Sequence, residues 1–257
     1  MKRDTIRQVV NLAAIVITLA VNGLANALPL NGQTTGEISD RFDVYFVPAG
    51  YVFSIWGVIY IGLLAFAVYQ VLPSQRENPR LQRIGYLPAL GGLANSLWIF
   101  LWHYERFPLT LVAMLALLIA LILMYLRLGI GYARFSAAEE WCVAVPTSVY
   151  LGWITVATIA NVTAILKYAN WDGWGISAET WAVIMLAVST LVASAVSVTR
   201  GDIACMLVIV WALAGIAVKH AAVPSVALGA WAATGITVLM FVVGAIFHRR
   251  RKMAAAT

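Results

Sequence analysis

Residues 141–166 read WCVAVPTSVYLGWITVATIANVTAIL, 26 positions without an Asp, Glu, Lys or Arg. A helix needs about 17–25 apolar residues to cross a ~30 Å hydrocarbon core, and a transmembrane barrel strand shows only a roughly ten-residue alternation. The stretch therefore reads as a membrane helix. Along it Pro146, Tyr150, Trp153, Ala157 and Asn161 recur at spacings of 4, 3, 4 and 4, the repeat of one helix face. An apolar helix in lipid has no hydrophobic reason to turn any face inward, so the placing of aromatic and polar groups marks the inner face.

Working outward, seven more uncharged apolar runs follow the same logic: 9–27, 51–72, 84–102, 109–126, 181–199, 203–218 and 223–247. The run 203–218 is the shortest, at 16 residues. The chain of 257 residues is 62% hydrophobic and 11% charged, whereas a soluble domain carries about 25% charged residues. That excludes a water-soluble globule and equally a disordered chain. The first run holds Asn22 and Asn26 and lacks a small-residue cleavage site, so it reads as a retained helix and not a signal peptide. The expected fold is all-α, a polytopic membrane bundle of about eight helices.

Eight crossings put both termini on one side. Thirteen of the 17 Lys and Arg residues then share that side: Lys2, Arg3, Arg7, Arg76, Arg80, Arg83, Arg127, Arg134, Arg200 and the cluster Arg249, Arg250, Arg251 and Lys252. Only Arg41, Arg106, Lys167 and Lys219 face the other way. Positive charge collects in cytoplasmic loops, so both termini are expected in the cytoplasm and the chain in the cytoplasmic (inner) membrane. The 248–252 cluster reads as a topology signal, with a lipid headgroup anchor as the other reading. The net charge of +6 forms no stripe of the kind that binds nucleic acid, and no nucleic-acid partner is expected.

The second run repeats the striped pattern with Phe53, Trp56 and Tyr60, the third with Gly91, Asn95, Trp98 and Trp102, and the first adds Thr18, Asn22 and Asn26. Trp102, Trp141, Trp171, Trp174 and Trp181 fall near run ends and read as an interfacial belt. Trp56, Trp98 and Trp153 lie deeper. Converging flat aromatic walls with a few amides suit a planar, apolar small ligand, stacked by the rings and oriented by one or two hydrogen bonds. The same residues also serve as helix-to-helix glue. Segment 29–50, long for a compact bundle, is a lid or a tether.

Catalytic chemistry is not visible. No ionisable residue lies inside a run, so proton relays and charge-coupled transport have no carrier. His103, His220 and His248 sit at run ends and read as solvated interfacial residues. Cys142 and Cys205 read as reduced packing residues. There is no metal-ligand cluster, phosphate loop or nucleophile elbow. No enzyme is expected, and no cofactor is required.

Three stretches nonetheless carry a resemblance. Residues 48–60, PAGYVFSIWGVIY, resemble the Pro-Pro-Gly-Trp-Val-Phe…Trp…Leu-Tyr signature of the tryptophan-rich sensory protein and translocator protein family, also called the peripheral benzodiazepine receptor family. Residues 95–98, NSLW, are similar to its Asn-x-x-Trp, and Pro146 with Tyr150, Leu151, Trp153, Ala157, Thr158 and Asn161 to its Tyr-Leu-x-Trp…Ala-Thr…Leu-Asn run. The resemblance covers about residues 9–168. It departs from the family at Ala49, which stands for the second Pro, and in the lack of a Lys or Arg in the five residues after Tyr168, which leaves sterol binding unsupported.

The resemblance implies a five-helix ligand-binding core over 1–168, with an additional three-helix segment and basic tail over 169–257. It implies a pocket for a tetrapyrrole, porphyrin or haem, formed by Phe53, Trp56, Tyr60, Asn95, Trp98, Tyr150, Trp153, Ala157 and Asn161, with segment 29–50 as lid. The role would be sensing, regulation or transport of that ligand, as a receptor-like protein. The alternative is an accessory subunit of a larger membrane complex, in which the last three helices meet a partner or a second copy of the chain. Within those helices Ser189, Ala193 and Ser197, and Gly229 and Ala233, recur every four residues and suit close packing.

Overall fold

A computed structural model of the chain describes residues 2–28 and 30–254. Pro29, residues 255–257, and the side chains of Asn26 and of the basic cluster 249–252 lie outside the described residues. In chain order the helices are α1 (Lys2–Ala27), α2 (Thr35–Asp40), α3 (Ile55–Val71), α4 (Pro79–Ile84), α5 (Leu87–His103), α6 (Phe107–Leu128), α7 (Ala137–Glu139), α8 (Val145–Tyr168), α9 (Ala178–Arg200), α10 (Ile203–Lys219) and α11 (Pro224–Ala254). No strand occurs among the described residues. The protein is an all-α, multi-pass membrane bundle.

Each of the eight apolar runs became a long helix. Six helical stretches are long and apolar enough to cross a membrane: Arg3–Ala25, Gly50–Val71, Phe107–Leu128, Ala137–Tyr168, Ala178–Arg200 and Pro224–His248. The other two, α5 and α10, have 17 residues each, about 25 Å at 1.5 Å per residue. The shortness of α10 matches its short run. That of α5 corrects the expected span of 84–102. Gly85 turns left-handed at φ 60° and ends α4, a conformation that costs glycine little. Pro88 then sits in the first turn of α5, where its missing N–H is no loss. The fifth run also starts early, at Ala137, and passes through one π turn, Glu140–Ala144, before α8. Pro146 follows directly; it removes a backbone donor, and the wider turn absorbs the mismatch.

Five helices close a ring in which α1 packs on α5, α5 on α6, α6 on α8, α8 on α3 and α3 on α1. Side-chain amides fasten the seams. Gln8 donates to the Gln70 carbonyl at 2.7 Å and Gln70 returns a bond to the Gln8 carbonyl at 3.0 Å, joining α1 to α3. Asn22 donates to Asn95 and accepts from the Tyr60 hydroxyl, joining α1 to α5 and α3. Buried amide pairs of this kind hold apolar helices that lipid itself would not drive together.

The remaining long helices form a triple, α9 with α10 and α11, applied to the ring through α10 against α8. The small-residue spacing is used as expected. Ser189, Ala193 and Ser197 are all buried; Ser197 donates to the Met240 carbonyl of α11 at 2.6 Å, and a Cβ on Gly244 would fall 2.1 Å from the Ser197 hydroxyl. At the seam between ring and triple, a Cβ on Gly152 would lie 2.9 Å from the Cys205 carbonyl.

The two ends of the bundle are fixed by their contacts. Gln82 reaches Asp4, Arg80 pairs with Glu139 at 2.6 Å, Arg200 donates to the Ile130 carbonyl and His248 meets the Val198 carbonyl. The start of α1 and residue 248 of α11 therefore share one end, as an even number of crossings requires. Segment 30–54 covers the opposite end.

Candidate functional site

Beneath that segment lies a cavity of about 80 Å³ walled by Phe53, Trp56, Trp98, Trp102 and Trp153, with Asn95, Ala157 and Asn161 and, from above, Thr35, Ser39 and Phe42. A vestibule of about 380 Å³ adjoins it, sharing Thr35, Phe53, Trp56 and Trp98 and adding Tyr60, Asn22 and Ile99. Phe53, Trp56 and Trp98 thus stand as a partition between an inner chamber and an outer one.

Helical spacing brings the rings together. Trp56 lies with Tyr60 at 5.6 Å between centroids and 28° between planes, one turn along α3. Trp153 of α8 meets Trp56 at 6.1 Å and Phe53 at 5.7 Å, both edge to face. On α5, Trp98 and Trp102 stack at 5.2 Å and 17°. Edge-to-face and offset arrangements are the ones the ring quadrupoles favour.

Polar groups are few. Trp98 donates through Nε1 to Asn161 Oδ1 at 3.4 Å, and Asn161 Nδ2 donates to the Thr110 hydroxyl at 2.9 Å. Asn161 is therefore engaged on both sides and sets the tilt of Trp98. Asn95 is engaged by Asn22. Trp153 differs. It is 3% exposed, lines the cavity, and its indole N–H has no hydrogen-bond partner. An orphaned donor in an apolar wall costs about 1–3 kcal/mol, and a ligand acceptor would satisfy it.

Seven of the nine residues expected to form a site share this cavity: Phe53, Trp56, Asn95, Trp98, Trp153, Ala157 and Asn161. Tyr60 lines the vestibule instead. Tyr150 stands behind Trp56 at 6.1 Å and borders a separate void of about 30 Å³, one turn too early on α8 to reach the chamber.

Two readings at the ends of runs need correction. Trp102 is not a belt residue; it is 4% exposed, stacks on Trp98, and donates to the Thr35 carbonyl at 3.2 Å. His103 is not solvated; it is 1% exposed, with Nδ1 against the Ile99 carbonyl at 2.9 Å and Nε2 against the Thr35 hydroxyl at 3.4 Å. Both are covered because segment 30–54 folds over them. The stripe Asn95, Trp98, Trp102 carried the signal for Trp102, whereas nothing local marked Phe42, Thr35 or Ser39. Trp141 and Trp174, at 70% and 76% exposed, remain at the rim as expected.

Segment 30–54 takes the lid position and is tied down on both sides. On the ring side Asn31 donates to the His103 carbonyl at 3.0 Å and Arg41 pairs with Glu105 at 2.8 Å. Its short helix α2 is closed by a capping box between Thr34 and Glu37, a reciprocal pairing that satisfies two helix-end donors. That pairing holds the Glu37 carboxyl below its usual range. On the triple's side the ties are Lys219 to Asp40 at 3.3 Å, Tyr45 to Glu179 at 3.1 Å, the Ala49 N–H to the Gly215 carbonyl at 3.1 Å, and Trp211 to the Val52 carbonyl at 3.1 Å. Tyr45 also packs edge to face on His220 at 5.4 Å. Gly215 permits this approach, since a Cβ there would lie 2.2 Å from a Val52 methyl.

Among the described residues no group of three or more His, Cys, Asp or Glu side chains is placed to hold a metal ion. A sequence model of the family described as TSPO-like protein matches residues 8–243. The match continues past residue 168, where the motif resemblance stops, and takes in α9, α10 and most of α11. Neither a curated protein nor a solved structure matches the chain.

Proposed function

The chain belongs to the TSPO-like protein family, and on that premise we propose that it binds a planar apolar ligand of the tetrapyrrole kind beneath the 30–54 lid, in sensing, regulation or transport of that ligand and not in catalysis. One observation carries the reading: Trp153, which lines a mostly apolar aromatic chamber under a tied lid, has a buried indole N–H without a partner. Ligand pockets of about 300–1,000 Å³ are usual. The inner chamber of about 80 Å³ falls below that range and the vestibule of about 380 Å³ lies within it. A macrocycle would therefore lie in the vestibule against Trp56 and Trp98, with one edge displacing the partition toward Trp153.

The residues divide the work. Trp56 and Trp98 stack, Trp153 donates, Ala157 leaves room one turn nearer the lid, and Asn95 and Asn161 fix the walls. Both nitrogens of His103 are already engaged, and His220 stands outside the chamber beside Tyr45, so the fit is to a metal-free ring and not to an axially ligated iron. The distribution of Lys and Arg supports a cytoplasmic-membrane location with both termini inside.

The test is a fluorescence titration of the detergent-purified protein with protoporphyrin, alongside Trp56→Phe and Trp153→Phe variants, with a melting-temperature shift measured in parallel. Saturable one-site binding, weakened about tenfold in either variant (about 1.4 kcal/mol), is expected. Linear quenching shared by all three proteins would leave the family fold without this ligand and favour an accessory subunit of a larger complex.

A further inference from the structure

A cavity larger than the chamber or its vestibule lies elsewhere. A groove of about 640 Å³ runs down the outside of the bundle where α10 lies beside α3 and α8, and it shares no residue with the aromatic chamber or its vestibule. Its walls are apolar along the helices, with Ile55 and Val58 of α3, Val145 of α8, and Leu207 and Trp211 of α10. From Ile203 to Trp211 this trough extends about 12 Å, eight residues of rise. Its mouth lies at the end of the bundle that holds the start of α1, and that mouth is charged: Arg200, Asp202, Glu140 and His248.

The mouth is closely built. Gly131 and Gly201 both have positive φ, and a Cβ on either would strike Arg200 or His248, at 2.5 Å in each case. Arg200 lies over the Tyr132 ring at 4.4 Å and donates to the Ile130 carbonyl at 3.2 Å. Asp202 caps α10, its Oδ1 accepting from the Cys205 N–H at 3.2 Å. Its other oxygen, Oδ2, is buried beside the Tyr125 hydroxyl without a hydrogen bond of ordinary length to it, and the residue is 7% exposed. Arg200 and Asp202 form no ion pair with each other, and neither forms one with another described residue. A buried carboxylate oxygen left without a donor is costly. Two opposite charges held apart at the top of an apolar trough are the complement of a zwitterionic amphiphile.

We propose that this groove is a phospholipid site selective for a phosphoethanolamine head, with the phosphate on Arg200, the ammonium on Asp202 Oδ2 and the start of an acyl chain in the α3–α10 trough. A primary ammonium carries three N–H donors and can satisfy Oδ2. A choline head has none, and a glycerol head offers Asp202 no cation. Arginine matches phosphate in charge and fork geometry.

Native mass spectrometry of the full chain in mild detergent tests this, with dioleoyl phosphatidylethanolamine, phosphatidylcholine and phosphatidylglycerol added in turn. The wild type is expected to hold the ethanolamine lipid about tenfold more tightly than the choline lipid. Asp202→Asn keeps the cap through its amide oxygen and should abolish that preference. Arg200→Gln should weaken all three lipids. Leu207→Trp fills the trough from an exposed position and should block ethanolamine-lipid binding while leaving the lipid-free melting temperature unchanged, which guards against a misfolded Arg200 variant. Equal binding of ethanolamine and choline lipids, tightest binding of the glycerol lipid, a preference that survives Asp202→Asn, or wild-type binding by Leu207→Trp would each overturn the proposal.

Discussion

Asn161 shows how much a single polar side chain can govern in an apolar interior. Its carbonyl oxygen receives the Trp98 indole and its amide reaches the Thr110 hydroxyl, so one residue on α8 sets both a wall of the chamber and the seam with α6. Replacing it with Ala strands the indole N–H and removes a partner from Thr110, at about 1–3 kcal/mol for a buried group left unsatisfied. Asn161→Ala is expected to lower the melting temperature with no ligand added, and an unchanged melting curve would contradict this role. At this scale the sequence was informative wherever a helix repeat carried the signal: Phe53, Trp56, Trp98, Trp153 and Asn161 sit where their spacing points. It was misleading at Trp102 and His103. Position near the end of an apolar run suggests the interface, but burial there depends on what a loop 60 residues away folds over. Tyr150 lies outside the chamber for the opposite reason, since sharing a helix face with Trp153 does not place it at the same depth.

Among the elements, the lid has a titratable fastening. His220 packs on Tyr45 of the lid, and its pKa lies below the usual 6.5, first because burial disfavours the charged ring and also because Lys219 adjoins it. The Val47 carbonyl and the Asp43 carboxylate pull the other way without reversing the shift. A histidine of this kind takes a proton more readily once the lid detaches. Docking is therefore complete above about pH 6.5 and weakens as pH falls through the lowered value. Hydrogen exchange at residues 34–49, corrected for intrinsic rates, should accelerate between pH 7 and 5 in the wild type and stay flat in His220→Gln. Acceleration of equal size in both would remove His220 from the account. Element boundaries were legible to different degrees. The eight long helices follow from uncharged length alone. The break at Gly85 and the π turn before Pro146 depend on backbone geometry that an apolar window does not register, and so α5 came out shorter, and the fifth span longer, than hydropathy implies.

For the whole molecule, the even number of crossings and the shared end of α1 and α11 make orientation testable without touching either terminus. In a background with Cys142→Ser and Cys205→Ala, a cysteine at Ser74 should be labelled only from the cytoplasm and one at Ser177 only from outside; reversed labelling would refute the orientation drawn from the Lys and Arg bias. What the chain could not disclose by itself is how the triple meets the ring. Small-residue spacing foretold the packing of α9 on α11, but no motif announced that α10 and its flanks would reach over and fasten the lid through Lys219, His220, Gly215 and Trp211. That attachment bears on time and not on affinity. A ligand that enters and leaves only through the raised lid has both steps slowed by the free energy of raising it, about tenfold for each 1.4 kcal/mol, while its equilibrium occupancy stays where the chamber's own contacts set it. With the proposed ligand in the chamber, the three outer helices would make the molecule a slow-exchanging store, its dwell time tuned at α10 and its preference for one ligand over another at the tryptophans.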